Sequence, residues 1–205
     1  MSRPPSFDRT EKVKEAMDLF REQGYEATSV QDLVDRLGLN RSSLYNTFGG
    51  KHDLYLEALD HCRTSERETL REHLAEGETA LDGIRRAFAA VAEAVTSDPC
   101  GCLTTNATVE RATSDPSTQE RACETLSAIR RLFQDAVEQA QGERAIEPDR
   151  DPAALGRYLT NAYNGLYLTA KTCPSPDAMQ DIVEETLRGL RGPAVGADAR
   201  DNGTD

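Results

Sequence analysis

The chain has no apolar run approaching the roughly 20 residues that a bilayer-spanning helix needs, and no charged-then-apolar leader at its start. Both absences argue against a membrane or secreted protein, and a cytoplasmic location is expected. The parts of an enzyme are missing as well. There is no phosphate-cradling glycine loop, no Gly-x-Ser-x-Gly elbow and no His-Glu-x-x-His pair, and the acidic residues are too widespread to single out a catalytic pair. Neither an enzymatic activity nor a cofactor is expected. No alternating strand pattern and no fixed-period repeat occurs, so the architecture reads as all-α with about nine helices. Lysine is scarce: Lys12, Lys14, Lys51 and Lys171 are the only lysines among 24 basic residues, which with the acidity suggests a salt-rich or GC-rich origin.

What is present is acid, unevenly placed. The net charge is −12, but residues 1 to 55 hold eight Lys or Arg against nine Asp or Glu, leaving sixteen against twenty-seven for the remainder. A nearly neutral N-terminal part can approach a polyanion, with Arg36, Arg41 and Lys51 as its bases, whereas the acidic remainder is repelled by one.

Within that neutral part, residues 28 to 51 contain two short helices with a defined break. Val30, Leu33, Val34 and Leu37 recur at helical spacing behind the candidate N-caps Thr28 and Ser29, and the run stops at Gly38, a residue suited to a left-handed position. Asn40 can cap a second helix with Leu44 and Phe48 inward and Arg41, Ser42, Ser43, Tyr45 and Asn46 outward. That outer set carries what major-groove recognition of double-stranded DNA requires: arginine binds guanine bidentately, and serine, tyrosine and asparagine reach phosphates or base edges. A preceding helix from Asp8 or Thr10 to Gly24, with Val13, Ala16, Met17 and Phe20 as its stripe, would pack across the pair. Arm residues Arg3 and Arg9 are further candidates for phosphate contact.

The helix-turn-helix with its flanks, Ala16-Met17-Asp18-Leu19-Phe20, Gly24-Tyr25, Leu44-Tyr45-Asn46-Thr47-Phe48 and Lys51, resembles the TetR family of transcriptional regulators, densely over residues 10 to 60. The resemblance implies an N-terminal three-helix DNA-binding domain over 1–50 and a larger helical ligand-binding and dimerisation domain over 51–191. It also implies a homodimer on a palindromic operator, released by a small-molecule inducer. Ser29, Ser42, Tyr45 and Lys51 would take phosphate or backbone, and Gln31, Arg41, Ser43 and Asn46 base edges. Pairing has a physical motive too, since one short helix makes too few base contacts for useful specificity.

Beyond Lys51 a long connecting helix is expected to about Glu76, then helices near 80–97, 102–110, 117–141, 152–173 and 176–190. Ser117 and Glu120 suggest a capping box, Gly142 a helix stop, and Asp151-Pro152 and Ser175-Pro176 two further starts. In the family the helices at 117–141 and 152–173 usually make the dimer. Residues 192–205 read as a disordered tail. Phe88, Asn106, Tyr158, Tyr163 and Tyr167 offer an aromatic wall with polar handles for an inducer.

Five cysteines (62, 100, 102, 123 and 173) in a cytoplasmic chain argue for free thiols. Cys100 and Cys102 flank a glycine just before a helix, where the dipole favours thiolate, making a cysteine-based redox, electrophile or metal sensor the alternative to a pocket ligand. A metal sensor built on that pair would be half a zinc site, as no spaced histidine completes it. No metal is therefore expected.

Overall fold

The structure is a computed structural model describing residues 7–98, 100–172 and 175–191. The arm residue Arg3, Cys173 and the expected tail lie outside the described residues. Those described form nine helices and no strand: α1 Arg9–Gln23, α2 Val30–Leu37, α3 Arg41–Phe48, α4 Lys51–Ala75, α5 Ala80–Ser97, α6 Leu103–Glu110, α7 Pro116–Gly142, α8 Pro152–Thr172 and α9 Pro176–Leu190.

Local chemistry sets the starts. The Asp8 carboxylate accepts from the Thr10 amide at the head of α1. Ser29 and Asp32 form a reciprocal capping box on α2, and Asn40 accepts from the Ser43 amide on α3. Gly38 has φ 62° and closes α2 in the left-handed conformation, which lets α3 set off in a new direction. Thr28, the other candidate cap, is fully buried and donates its hydroxyl to the Gly24 carbonyl.

Two expected boundaries of α7 differ. Its cap is Asp115, which accepts from the Ser117 amide and the Thr118 hydroxyl ahead of Pro116, so Ser117 and Glu120 do not form a capping box. Gly142 is helical, and the left-handed residue is Arg144 at φ 62°, with the Ala145 amide reaching back to the Ala140 carbonyl. Ile146 beyond that turn is buried, and its packing holds a non-glycine residue in this conformation.

Two apolar clusters result. The first joins α1–α3 to Leu54, Tyr55, Ala58 and Leu59 of α4 and to Leu103 and Ala107 of α6. Phe20 lies edge-on to Tyr55 at 5.1 Å between centroids. The second runs from Leu70 of α4 through α5, α7, α8 and α9, around the rings of Phe88, Phe133 and Tyr163, whose centroids are 5.5–5.8 Å apart. Helix α4 therefore serves both clusters. Its end meets α5 closely, because a Cβ added at Gly83 would lie 2.2 Å from the Leu74 carbonyl oxygen.

Candidate nucleic-acid interface and the cavity behind it

Helix α3 buries Leu44 and Phe48 and turns Arg41, Ser42, Tyr45 and Asn46 outward, with Ser43 half-buried beside them. Arg41 is its first residue, exposed, and makes no ion pair among the described residues. Asn46 donates weakly to Ser42 Oγ at 3.4 Å, and Gln31 donates to Asp35 Oδ1 at 2.9 Å. Ser29 Oγ accepts from the Asp32 amide at 3.1 Å. The Ser29 hydroxyl and amide in turn hold the Asp32 carboxyl below its usual pKa. Arg36 is neutralised by Glu22 at 2.7 Å. Arg9 braces the fold: its guanidinium donates to the Thr47 carbonyl at 2.6 Å and lies over the Phe48 ring.

Helix α4 starts at Gly50 without a side-chain cap, so its first amides point out unpaired by any side chain. Lys51 at this end sits 4.2 Å from the centroid of Tyr25, which Arg111 also approaches at 4.3 Å. Partial burial lowers the Lys51 pKa. A cation placed against the positive end of a helix dipole favours an anion coming from outside.

Behind this face, α6 is bonded to the head along its length. Asn106 donates to the Arg21 and Cys100 carbonyls at 3.3 and 3.1 Å. Glu110 accepts from the Tyr25 and Glu26 amides at 3.0 and 2.8 Å, and Arg111 pairs with Glu26. Asp115 lies 3.8 Å from His52 Nδ1. Burial pushes the Asp115 carboxyl up, but the Thr118 hydroxyl, the His52 charge, the Ser117 amide and Arg111 outweigh it and hold it below its usual range.

A cavity of about 380 Å³ opens between α1, α4, α5, α8 and the start of α6, lined among others by Met17, Cys62, Glu66, Cys102, Tyr163 and Tyr167. Of the five residues expected around an inducer, Tyr163 and Tyr167 line it. Phe88 is fully buried against Phe133 and Tyr163, Asn106 is used up on the two carbonyls, and Tyr158 is 43% exposed on α8 beside Gly189. Aromatic spacing alone could not separate core from wall, since helices from both sides of the cavity fix which ring reaches it. Asn164 is held within the chain, accepting from the Thr105 hydroxyl at 3.1 Å and donating to the Thr160 carbonyl at 2.8 Å.

The cysteine pairing differs from that expected. Cys102 faces Cys62, with Sγ–Sγ 3.9 Å, while Cys100 is turned to Asp98 and its thiol is raised by that neighbour. Glu66 Oε2 lies 3.4 Å from Cys102 Sγ, and burial lifts this carboxyl well above the usual range. Cys62 and Glu66 were recognisable as an i, i+4 pair, but nothing local places Cys102 beside them.

A three-helix head that turns the polar face of α3 outward, continuous with a larger helical body, has the layout of a helix-turn-helix DNA-binding protein. Residues 13–58 match the family model for bacterial regulatory proteins of the tetR family, and residues 79–185 match a tetracyclin repressor-like C-terminal domain. The chain belongs to the TetR family of transcriptional regulators. It is 32% identical over 195 residues to the uncharacterized HTH-type transcriptional regulator YezE of Bacillus subtilis, covering 93% of this chain and all of the relative. It is 30% identical to the HTH-type transcriptional repressor ComR of Escherichia coli, over 91% of this chain and 90% of that one. Among solved structures, a cysteine mutant of the TetR family regulator CifR complexed with 26bp double-strand operator DNA superposes with TM-score 0.83 at 26% identity, over 92% of this chain and all of that one. No helix among the described residues is long and apolar enough to cross a membrane.

Proposed function

We propose that the protein is a cytoplasmic repressor that binds a palindromic DNA operator as a homodimer and releases it when a small molecule occupies the cavity. The observation that carries this reading is the outward row of Arg41, Ser42, Tyr45 and Asn46 on α3, beside the open N-terminus of α4 with Lys51. Arg41, Ser43, Asn46 and Gln31 take base edges, and Ser29, Ser42, Tyr45 and Lys51 take phosphates. The similarity to CifR, which is complexed with operator DNA, supports the DNA partner. The reading head spans 1–50 and the ligand and dimer domain 51–191, with α4 belonging mechanically to both.

Pairing of two copies through α7 and α8 is supported by the outer face of α8. There Arg157, Asn161 and the 45%-exposed Leu168 line a groove with Leu126 and the 68%-exposed Val109. Footprinting on DNA upstream of the protein's own gene and of a divergent neighbour tests the reading. Protection of a symmetric site supports it, and indifference to every duplex at modest ionic strength removes it.

A second reading, release driven by thiols, is favoured by the approach of Cys62 to Cys102. Operator affinity should then fall on treatment with an electrophile and survive in Cys62→Ser and Cys102→Ser proteins. An unaltered response in both variants dismisses it.

A further inference from the structure

Cys62 and Glu66 share one face of α4, four residues apart, and Cys102 caps the start of α6, forty residues from Cys62. One ligand atom of each lies within 4.8 Å of the other two. The sulfurs are 3.9 Å apart and the Cys102 sulfur is 3.4 Å from the carboxylate. No cation pairs with Glu66 among the described residues, so the cluster is a set of soft and hard acceptors with no positive partner of its own.

We propose that these three side chains bind a tetrahedral divalent d10 cation of the zinc class. Bond lengths of about 2.3 Å to sulfur and about 2.0–2.2 Å to carboxylate oxygen place tetrahedral neighbours about 3.8 Å apart for two sulfurs and about 3.5 Å for sulfur and oxygen. The observed separations of 3.9 and 3.4 Å match two of the three edges, and the third, between Cys62 and Glu66, lies within 4.8 Å. A linear two-thiolate ion fits less well: it sets its sulfurs about twice a bond length, roughly 4.6 Å, apart and leaves the carboxylate unused.

Two thiolates and one carboxylate leave a single negative charge on the bound ion. The Thr104 hydroxyl, which donates to Cys62 Sγ at 3.8 Å, orients that ligand from the second turn of contacts. His73 also lines the cavity but stands seven residues beyond Glu66, roughly 10 Å along the helix, too far to ligate the same ion. The fourth position therefore faces the cavity beside Tyr163 and Tyr167 and takes water or an exogenous donor. Three protein ligands with one open position make a reversible site rather than a permanent structural one. The ion ties α4 to α6, whether or not the head binds DNA.

The test uses the full chain, reduced and stripped of metal. Titrated with Co(II), it should take up one equivalent and develop the visible d–d bands of a tetrahedral ion with near-ultraviolet thiolate charge transfer; Zn(II) should displace the Co(II). Competition against a chromophoric chelator should show Zn(II) affinity falling by about 100-fold or more in Cys62→Ser and in Cys102→Ser. Cys100→Ser and Cys123→Ser should bind as the unaltered chain does. An octahedral spectrum, no stoichiometric uptake by the unaltered chain, or full affinity in folded Cys62→Ser and Cys102→Ser proteins would overturn the site. The spectrum of the unaltered chain decides the matter even where a variant does not fold.

Discussion

Replacing Lys51 by alanine separates two roles that the geometry allows for one side chain. As a brace, the ammonium 4.2 Å from the Tyr25 ring contributes about 0.5–1 kcal/mol of cation–π attraction. Its loss then lowers the midpoint of thermal unfolding by a few degrees at most, roughly 2–4 °C per kcal/mol for a chain of this size. As a phosphate ligand, each Lys51 releases about 0.9 counterion on binding duplex DNA, so the two copies on one operator account for a slope of about 1.8 in log affinity against log salt. Over a fourfold rise in salt, from about 50 to about 200 mM, that slope is worth roughly 12-fold. The Lys51→Ala protein should therefore bind more weakly at low salt, and its deficit relative to the unaltered chain should shrink about 12-fold across that range. Fluorescence anisotropy with a labelled operator duplex at four or five salt concentrations measures this. Parallel salt plots for the two proteins, together with a lowered melting midpoint, would leave Lys51 a brace and refute the phosphate assignment.

Arg41→Ala should reduce discrimination at one base pair of each half-site by about 1–3 kcal/mol, read by mobility shift on single-base operator variants, whereas equal weakening on every sequence would place the guanidinium on phosphate instead. Gly83→Ala forces a methyl into the Leu74 carbonyl at 2.2 Å and should destabilise the fold by about 1–3 kcal/mol in urea titrations. An unchanged midpoint would mean that the α4–α5 corner opens freely. Asp115→Asn keeps an acceptor for the Ser117 amide but removes the charge and the oxygen that accepts from Thr118 and Arg111, and should cost about 1 kcal/mol near neutrality. Because the folded state depresses this carboxyl below its unfolded value of about 3.9, its contribution is complete above about pH 4 and vanishes as pH falls through the folded value. The stability gap between the two proteins should close at strongly acid pH, and a gap independent of pH would assign the loss to packing alone.

The head was legible because its signals are local. Ser29, Gly38 and Asn40 each act on backbone groups within three or four residues, and each sits in a conformation that its residue type favours. The ends of α7 misled for the same reason: Glu120 and Gly142 offer good local chemistry, yet the Asp115-Pro116 start and the burial of Ile146 beyond Arg144 prevail. Tyr55, one of the largest fully buried side chains, follows Leu54 on α4 and escapes a single apolar stripe because its ring is covered by Phe20 and Tyr25, thirty or more residues earlier in the chain. The Glu110 bridge to Tyr25 and Glu26 and the meeting of Cys62 with Cys102 join residues 40 to 85 positions apart. Periodicity carries no information about such encounters, since they are fixed by how whole helices stack.

At eight residues α6 is a rod of roughly 12 Å, too short to bend and bonded throughout its single run of turns. One tip borders the hollow through Cys102 and Leu103; the other grips the backbone at Tyr25 and Glu26 through one carboxylate. Because the two tips belong to one short rod, the release proposed above has a direct route: a ligand that displaced the first tip would act on the entrance to α2 through the second.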